Sequence, residues 1–246
     1  MIETIKCIEL QKNQVIKDIK KATVKEKFRG LPTVSAKSCT MGQDCGDCRN
    51  VCPTGAIDEN ISIDMGKCIF CGECERACKA GAIKFTNAHK IGATLPENLI
   101  TRGEIDPIKS TKFIKKTFGR SLKLRQVSAG GCNSCEMELG ACSNANFDMG
   151  RFGIKFVASP RHADGIVITG PITKNMAKAL EETYQSICEP KIIILVGACA
   201  ISGGMFQNSE ELDRKFLTKH KIDLFIPGCP AHPLTIINAV LEFLGR

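Results

Sequence analysis

From residue 122 onward the chain alternates between two hydrophobic periods. Short apolar runs, LKLRQVS (122–128), IKFVA (154–158), GIVIT (165–169), IIILV (192–196) and DLFI (223–226), have the length and residue types of strands. Around them MAKALEETYQSI (176–187), NSEELDRKFL (208–217) and PLTIINAVLEFL (233–244) carry apolar residues at helical spacing. Pro233 suits the first turn of the last of these, where its missing N–H has no helical partner to lose. The alternation predicts an α/β domain with a mainly parallel sheet over residues 122–246. Loops leaving the carboxyl ends of such strands share one rim, where ligands bind.

The preceding half reads differently. Residues 1–35 are Lys-rich and weakly periodic, with no element assignable from pattern. Residues 36–88 hold eight cysteines, and residues 89–121 form a basic linker containing Pro96, Gly103 and Pro107. Within the basic stretch 102–125, Phe113, Ile114 and Phe118 are expected to share one helical face. Lys112, Lys115, Lys116 and Arg120 would line the rest, which suits docking to an acidic subunit or anionic headgroups. The longest apolar run, IIILVGACAI (192–201), is too short to span a bilayer.

Composition changes the picture at one residue type. The 246 residues include 15 cysteines, an odd number clustered at two-residue gaps, which speaks for metal ligation rather than a disulfide framework. The start, MIETIKCIELQKN, shows no secretory signal, so the expectation is a soluble, intracellular, metal-binding chain. The net charge of +8 is concentrated in residues 1–30 and 102–125. With no Trp and one Tyr (Tyr184) to stack on bases, these segments do not suggest a nucleic-acid partner.

The cysteine block is an internal repeat. CTMGQDCGDCRNVCPTGAI (39–57) is followed by CIFCGECERACKAGAI (68–83), and Cys45, Cys48 and Cys52 recur as Cys71, Cys74 and Cys78. Gly55-Ala56-Ile57 recurs as Gly81-Ala82-Ile83 in the same register. The second copy reads C-x2-C-x2-C-x3-C, in which three thiolates wrap one cuboidal cluster and the fourth serves its neighbour. A zinc ribbon through Cys45, Cys48, Cys68 and Cys71 also fits, but leaves Cys39, Cys52, Cys74 and Cys78 without a role. The block resembles the two-cluster bacterial ferredoxin family. That resemblance implies one 4Fe–4S cluster on Cys39, Cys45, Cys48 and Cys78 and a second on Cys68, Cys71, Cys74 and Cys52. This chain departs from the family in having Lys79 where a Pro usually follows the fourth cysteine, and in the TMGQD insertion after Cys39.

GGCNSCEMELGACS (130–143) raises a further candidate. Cys132 and Cys135 follow the first strand, Cys199 follows IIILV in VGACAISGG, and Cys229 follows DLFI in IPGCPAHP. Their loops should converge at the strand-end rim as a four-thiolate site. Glycines 130, 131, 203 and 204 would let backbone approach a bulky inorganic core. The alternative is four buried cysteines acting as small hydrophobes. GGCNSCEME, SPRHAD, GACAISGG and PGCPAHP together resemble the small subunit of energy-converting, membrane-bound nickel–iron hydrogenases of the formate hydrogenlyase type. The complex I subunit carrying the terminal cluster belongs to the same superfamily.

The resemblance implies a flavodoxin-like domain over about residues 112–246, with a proximal 4Fe–4S cluster at the strand ends and a small α+β ferredoxin domain fused before it. It implies three 4Fe–4S clusters in all and an electron-transfer role, with no catalytic residue in this chain. The implied partners are a large subunit carrying nickel–iron, membrane-arm subunits, and an external ferredoxin-like or formate-dehydrogenase-type donor. The implied location is cytoplasmic, peripheral to the inner face of the membrane. The complex I branch has adjacent cysteines where this chain has Cys132-x2-Cys135, which favours the hydrogenase branch. A complex I-like quinone oxidoreductase subunit and a free-standing electron carrier remain the alternatives. Arg161 is read either as a cation beside the proximal cluster or as a partner for Asp164. Glu136 is read as a proton relay or as ordinary helix N-terminal charge. His162 and His232 are expected to be hydrogen-bonded rim residues, and Cys7, Cys142 and Cys188 free thiols.

Overall fold

The computed structural model describes residues 2–11, 14–35, 37–39 and 45–246. The TMGQD insertion (40–44) lies outside the described residues. Helix α1 (Ile2–Gln11) precedes an irregular stretch that leads to strand β1 (Pro32–Val34). The cysteine block then contributes α2 (Asp47–Asn50), β2 (Ile63–Asp64), α3 (Glu73–Ala77) and β3 (Ile83–Phe85). Antiparallel pairing joins β1 to β3, and β2 to β4 (Ile100–Thr101), which the linker supplies. The ferredoxin-type unit thus takes one strand from each side of the 36–88 segment. The sequence repeat survives as a structural one: α2 and α3 start at equivalent positions, and Gly55 and Gly81 adopt nearly equal positive φ, +59° and +61°.

The remaining chain forms α4 (Lys112–Phe118), β5 (Leu122–Ser128), α5 (Ser134–Ala141), β6 (Ile154–Phe156), β7 (Gly165–Thr169), α6 (Lys174–Gln185), β8 (Ile192–Val196), α7 (Ala198–Ser202), α8 (Lys215–Lys219), β9 (Leu224–Ile226) and α9 (Pro233–Phe243). The five strands β5 to β9 form one sheet in the order β6-β5-β7-β8-β9, with every pair parallel. This is a flavodoxin-like α/β arrangement. Both faces are covered, which is why GIVIT and IIILV read as continuous apolar runs rather than alternating ones. Leu122, Leu124, Val167, Ile194 and Leu224 face a core shared with α4, α5 and α9. On the opposite face Ile166, Ile168, Ile193, Leu195 and Phe225 share their core with Leu180 of α6 and with Ile63, Met65, Ile91 and Leu99 of the ferredoxin-type unit. The two units therefore have one hydrophobic core in common.

Three local readings change. NSEELDRKFL is helical only from Lys215, as α8; before it, Leu212 bridges Thr173 and Asp213 N donates to Ile172 O, so tertiary pairing claims the backbone. In α4, Ile114 and Phe118 are buried four residues apart, whereas Phe113, edge-on to the Phe118 ring at 6.4 Å between centroids, is 58% exposed. The helix packs that face on its own domain, so the three apolar residues do not form one free docking face. Residues 14–31, without periodicity, wrap the α/β domain: Ile19 is buried, and its carbonyl accepts from Asn238 of α9 (3.3 Å).

Candidate metal centres

Two thiol groups form inside the ferredoxin-type unit. Around Cys48 lie Cys39, Cys45 and Cys78; around Cys68 and Cys74 lie Cys52 and Cys71. Burial pushes the Cys68 thiol up to about 12 and Cys74 to about 11, and repulsion from the neighbouring thiolates adds to both shifts. Burial raises Cys48 too, followed by the influence of Cys78. Backbone N–H groups are aimed at sulfur in matched positions of the repeat: Ala56 N donates to Cys52 Sγ (3.3 Å) and Ala82 N to Cys78 Sγ (3.2 Å). Phe70 N does the same for Cys68 (3.4 Å). The Phe70 donor offsets part of the rise at Cys68.

The third group sits on the rim. Cys132 and Cys135 open α5 behind Gly130, which has φ +90°. Cys199 lies in the first turn of α7, and Cys229 in the loop after β9. Cys199 is within electrostatic reach of Cys229 and Cys132, and Cys135 of Cys229 and Cys199. Burial drives Cys135 to about 12 and Cys199 to about 11. Cys132, more exposed, is shifted down, chiefly by its hydrogen bond with the Ser134 hydroxyl (3.4 Å). Cys39, Cys45, Cys48 and Cys78 thus lie near one another, as do Cys52, Cys68, Cys71 and Cys74, and Cys199 and Cys229 lie near Cys132 and Cys135. Cys7 and Cys188 are exposed, and Cys142 is buried at the end of α5, its thiol pushed up to about 12 by burial.

The groups fit a cuboidal cluster better than a single ion. Tetrahedral zinc needs sulfurs about 3.8 Å apart around one point. Space is left for something bulkier by missing side chains: a Cβ on Gly197 would lie 2.6 Å from Cys135 Sγ, and one on Gly204 3.0 Å from Cys199 Sγ. A positively charged inorganic core also resolves the electrostatic conflict, since thiols this buried and mutually repelling ionise only against a compensating cation.

The three groups are connected. Cys48 raises Cys74 across the ferredoxin-type unit, and Cys71 reaches Cys229 of the rim. Close packing holds this junction: a Cβ on Gly66 would meet Ile201 at 2.8 Å, and Gln207 Nε2 donates to Thr54 O (3.1 Å). Phe70 and Cys229 line one open cleft of ≈ 340 Å³ together with Arg29, Glu138 and His232.

The other sequence candidates resolve individually. Glu136 accepts from Ser128 Oγ (2.6 Å) and Thr169 Oγ1 (2.7 Å), bolting α5 to the ends of β5 and β7. Arg161 and His162 are exposed in the turn after β6; Asp164 turns its carboxylate to Lys123 N instead (2.7 Å). His232 caps α9, its Nδ1 accepting from Leu234 N (3.1 Å). Two cations escaped sequence reasoning because their partners are backbone carbonyls. Arg29 Nε donates to Phe70 O (2.7 Å) beside the second group, and Arg214 grips the loop of Cys199.

Comparison with known proteins places these groups in context. A family model described as NADH ubiquinone oxidoreductase, 20 Kd subunit, matches residues 132–243, and a 4Fe-4S binding domain model matches residues 61–84. The chain is similar to a probable membrane-bound hydrogenase subunit of Pyrococcus furiosus, with 37% identity over 131 residues, 53% of this chain and 78% of that one. It is 40% identical over 130 residues to formate hydrogenlyase subunit 7 of Escherichia coli, covering 53% of this chain and 51% of that one. NAD(P)H-quinone oxidoreductase subunit K of a Picosynechococcus species is 41% identical over 113 residues, 46% of each chain.

Proposed function

The chain belongs to the NADH ubiquinone oxidoreductase 20 Kd subunit family, whose members similar to it include hydrogenase and quinone oxidoreductase subunits, and from that premise we propose that it is the electron-transfer subunit of a multisubunit nickel–iron hydrogenase. The observation that carries the proposal is the continuous line of three four-cysteine groups, joined through Cys48–Cys74 and Cys71–Cys229. Cys39, Cys45, Cys48 and Cys78 hold one 4Fe–4S cluster, and Cys52, Cys68, Cys71 and Cys74 a second, in the ferredoxin domain assigned to residues 36–88. Cys132, Cys135, Cys199 and Cys229 hold the third, in the hydrogenase-type domain of residues 122–246. When bound, these clusters supply one-electron oxidation and reduction. The chain's own residues fix their order, surround them with apolar packing and aim N–H groups at their sulfurs.

On this reading an external low-potential donor delivers electrons at the first group, and they leave at the strand-end rim for a nickel–iron site in a large subunit. The rim is built to be covered. Cys132 and Cys229 are exposed there, and Met137 of α5, Met205 and Phe206 after α7 are 69%, 57% and 48% exposed. Apolar surface of this kind marks a protein interface. Among the described residues no helix is long and apolar enough to cross a membrane. Attachment to the inner face of the membrane would therefore run through partner subunits.

A second reading, a subunit of a complex I-like quinone oxidoreductase, is favoured by the similarity to subunit K. One anaerobic preparation of the tagged complex tests both. The expected result is about twelve iron atoms per chain, matched by sulfide, with nickel in the co-purifying large subunit and hydrogen evolution from a low-potential donor. Cys199→Ala should abolish hydrogen evolution while both ferredoxin clusters remain reducible. A complex without nickel that reduces a quinone gives the second reading; stoichiometric zinc with little sulfide overturns both.

A further inference from the structure

Among the described residues Arg214 is a cation without an acid. Its guanidinium donates to four carbonyl oxygens: Pro171 (2.9 Å), Cys199 (3.1 Å), Ala200 (2.8 Å) and Ile201 (2.8 Å). Three of these belong to α7, a five-residue helix ending at left-handed Gly203; Cys199 O also accepts from Gly203 N (2.9 Å). The fourth follows β7, in the loop where a Cβ on Gly170 would lie 2.6 Å from Gly131 N, behind Cys132. One side chain thus ties the loop of Cys199 to the loop that backs Cys132.

Hydrogen bonding explains the fork but not the charge. Neutral donors can satisfy carbonyls, whereas removing a guanidinium from water carries a cost normally offset by a carboxylate. The nearest acids in sequence are engaged elsewhere: Asp213 faces Lys215 (3.9 Å) and Glu211 faces Lys174 (3.8 Å). Among the described residues Arg214 has no carboxylate within ion-pair distance. Its electrostatic counterpart is Cys199, whose thiolate it favours. An anionic four-thiolate cluster on the rim supplies the missing negative charge.

We propose that Arg214 is a positioning residue that sets the reduction potential of the rim cluster, its fixed charge favouring the state with one more electron. The proposal rests on the rim cysteines holding a cluster, as argued above. Sequence alone places Arg161 in such a role, but Arg161 is exposed whereas Arg214 is half-buried behind a candidate ligand.

The test is an EPR-monitored redox titration of anaerobically reconstituted full-length protein, with the rim cluster's signal identified by its loss in Cys199→Ala. Arg214→Met should move that midpoint to a more negative potential and leave the other two clusters unchanged. Arg214→Lys keeps the charge but cannot grip four carbonyls; it should melt earlier with a midpoint close to wild type. An Arg214→Met protein that retains the cluster at the wild-type midpoint overturns the proposal, as does an Arg214→Lys midpoint shifted as far as that of Arg214→Met. Should Arg214→Met fail to hold the cluster, Arg214→Lys decides: a loaded cluster at the wild-type potential supports the role of charge, and failure to load reduces Arg214 to a clasp. Wild-type protein with fewer than three clusters by iron and sulfide refutes the underlying assignment instead.

Discussion

Replacing Gly197 by alanine isolates the fit between the rim backbone and the third cysteine group. Gly197 stands at φ +91°, ψ 154°, between β8 and α7, a conformation that only glycine adopts without strain. Forcing alanine there costs about 1–3 kcal/mol. The new methyl would also sit 2.6 Å from Cys135 Sγ, with Gly228 O at 3.5 Å on another side. Ordinary contact needs about 3.5–4 Å, so Cys135 must be displaced by roughly 1 Å. At about 2–4 °C per kcal/mol for a chain of this size, Gly197→Ala should melt about 2–12 °C below wild type. It should also lose about four of its roughly twelve irons, those of the rim cluster. Gly140→Ala is the internal control. Gly140 lies within α5 with nothing inside 4 Å of its would-be Cβ. Alanine should stabilise there by about 0.5–1 kcal/mol, raising the melting temperature by about 1–4 °C with full iron content. The assay is thermal unfolding by circular dichroism with iron and sulfide determination on the same samples. A Gly197→Ala protein with wild-type iron and melting temperature, beside a Gly140→Ala control that behaves as expected, would refute the reasoning.

Glu136→Ala removes the acceptor for Ser128 and the nearer of two acceptors for fully buried Thr169, whose hydroxyl also reaches Val127 O (3.3 Å). It should cost about 1.5–3 kcal/mol in urea unfolding, with Glu136→Gln closer to wild type; an unchanged Glu136→Ala midpoint would show the bolt to be idle. Burial holds His89 and His232 below the ordinary 6.5, and His89 is further lowered by His232 and Lys90. The unfolded chain therefore binds more protons below pH 6.5, so the contribution of these residues is intact above that value and is lost as pH falls. Asp223 and Glu138, raised by burial, act in the opposite sense and offset part of the loss. Urea midpoints at about pH 7.5 and 5.5 should fall less in His89→Gln than in wild type; equal falls would remove His89 from the account. Phe118→Ala should cost about 3–5 kcal/mol, since the ring is 3% exposed. Phe113→Ala should stay within about 0.5 kcal/mol; equal effects in denaturant titrations would restore the single-face reading of the helix.

What the sequence carried depended on whether a residue's partner leaves a local trace. The strands were legible because both sheet faces are buried, so IIILV and GIVIT appear as unbroken apolar runs with sharp ends. The nearness of the rim cysteines was legible because parallel topology carries Cys199 and Cys229 to the rim of Cys132. Of the helix expected over 208–217, the part before Lys215 is not helical because Leu212 and Asp213 pair with the loop before α6, a contact that no local pattern announces. Ile19 sits in a non-periodic, Lys-rich stretch, and its burial depends on α9 more than 200 positions later. Arg29 and Arg214 were invisible for a related reason: a side chain that grips backbone carbonyls imposes no residue type on its partners. Phe113 misled because, at about 100° per residue, it lies roughly 100° from Ile114 and 140° from Phe118, outside the face those two bury.

The shared core of the two units bears on kinetics. A separate ferredoxin must find its acceptor by diffusion, steered by surface charges that salt screens. Here Ile63, Met65 and Leu99 are buried in the same core as Ile166, Ile168 and Leu195, and the Cys71 side of one unit is seated against the Cys229 side of the other. The gap between the second and third groups is therefore set by folding. Transfer across it should be first order, independent of protein concentration and indifferent to ionic strength, leaving only the outer donor's encounter with the first group to respond to salt.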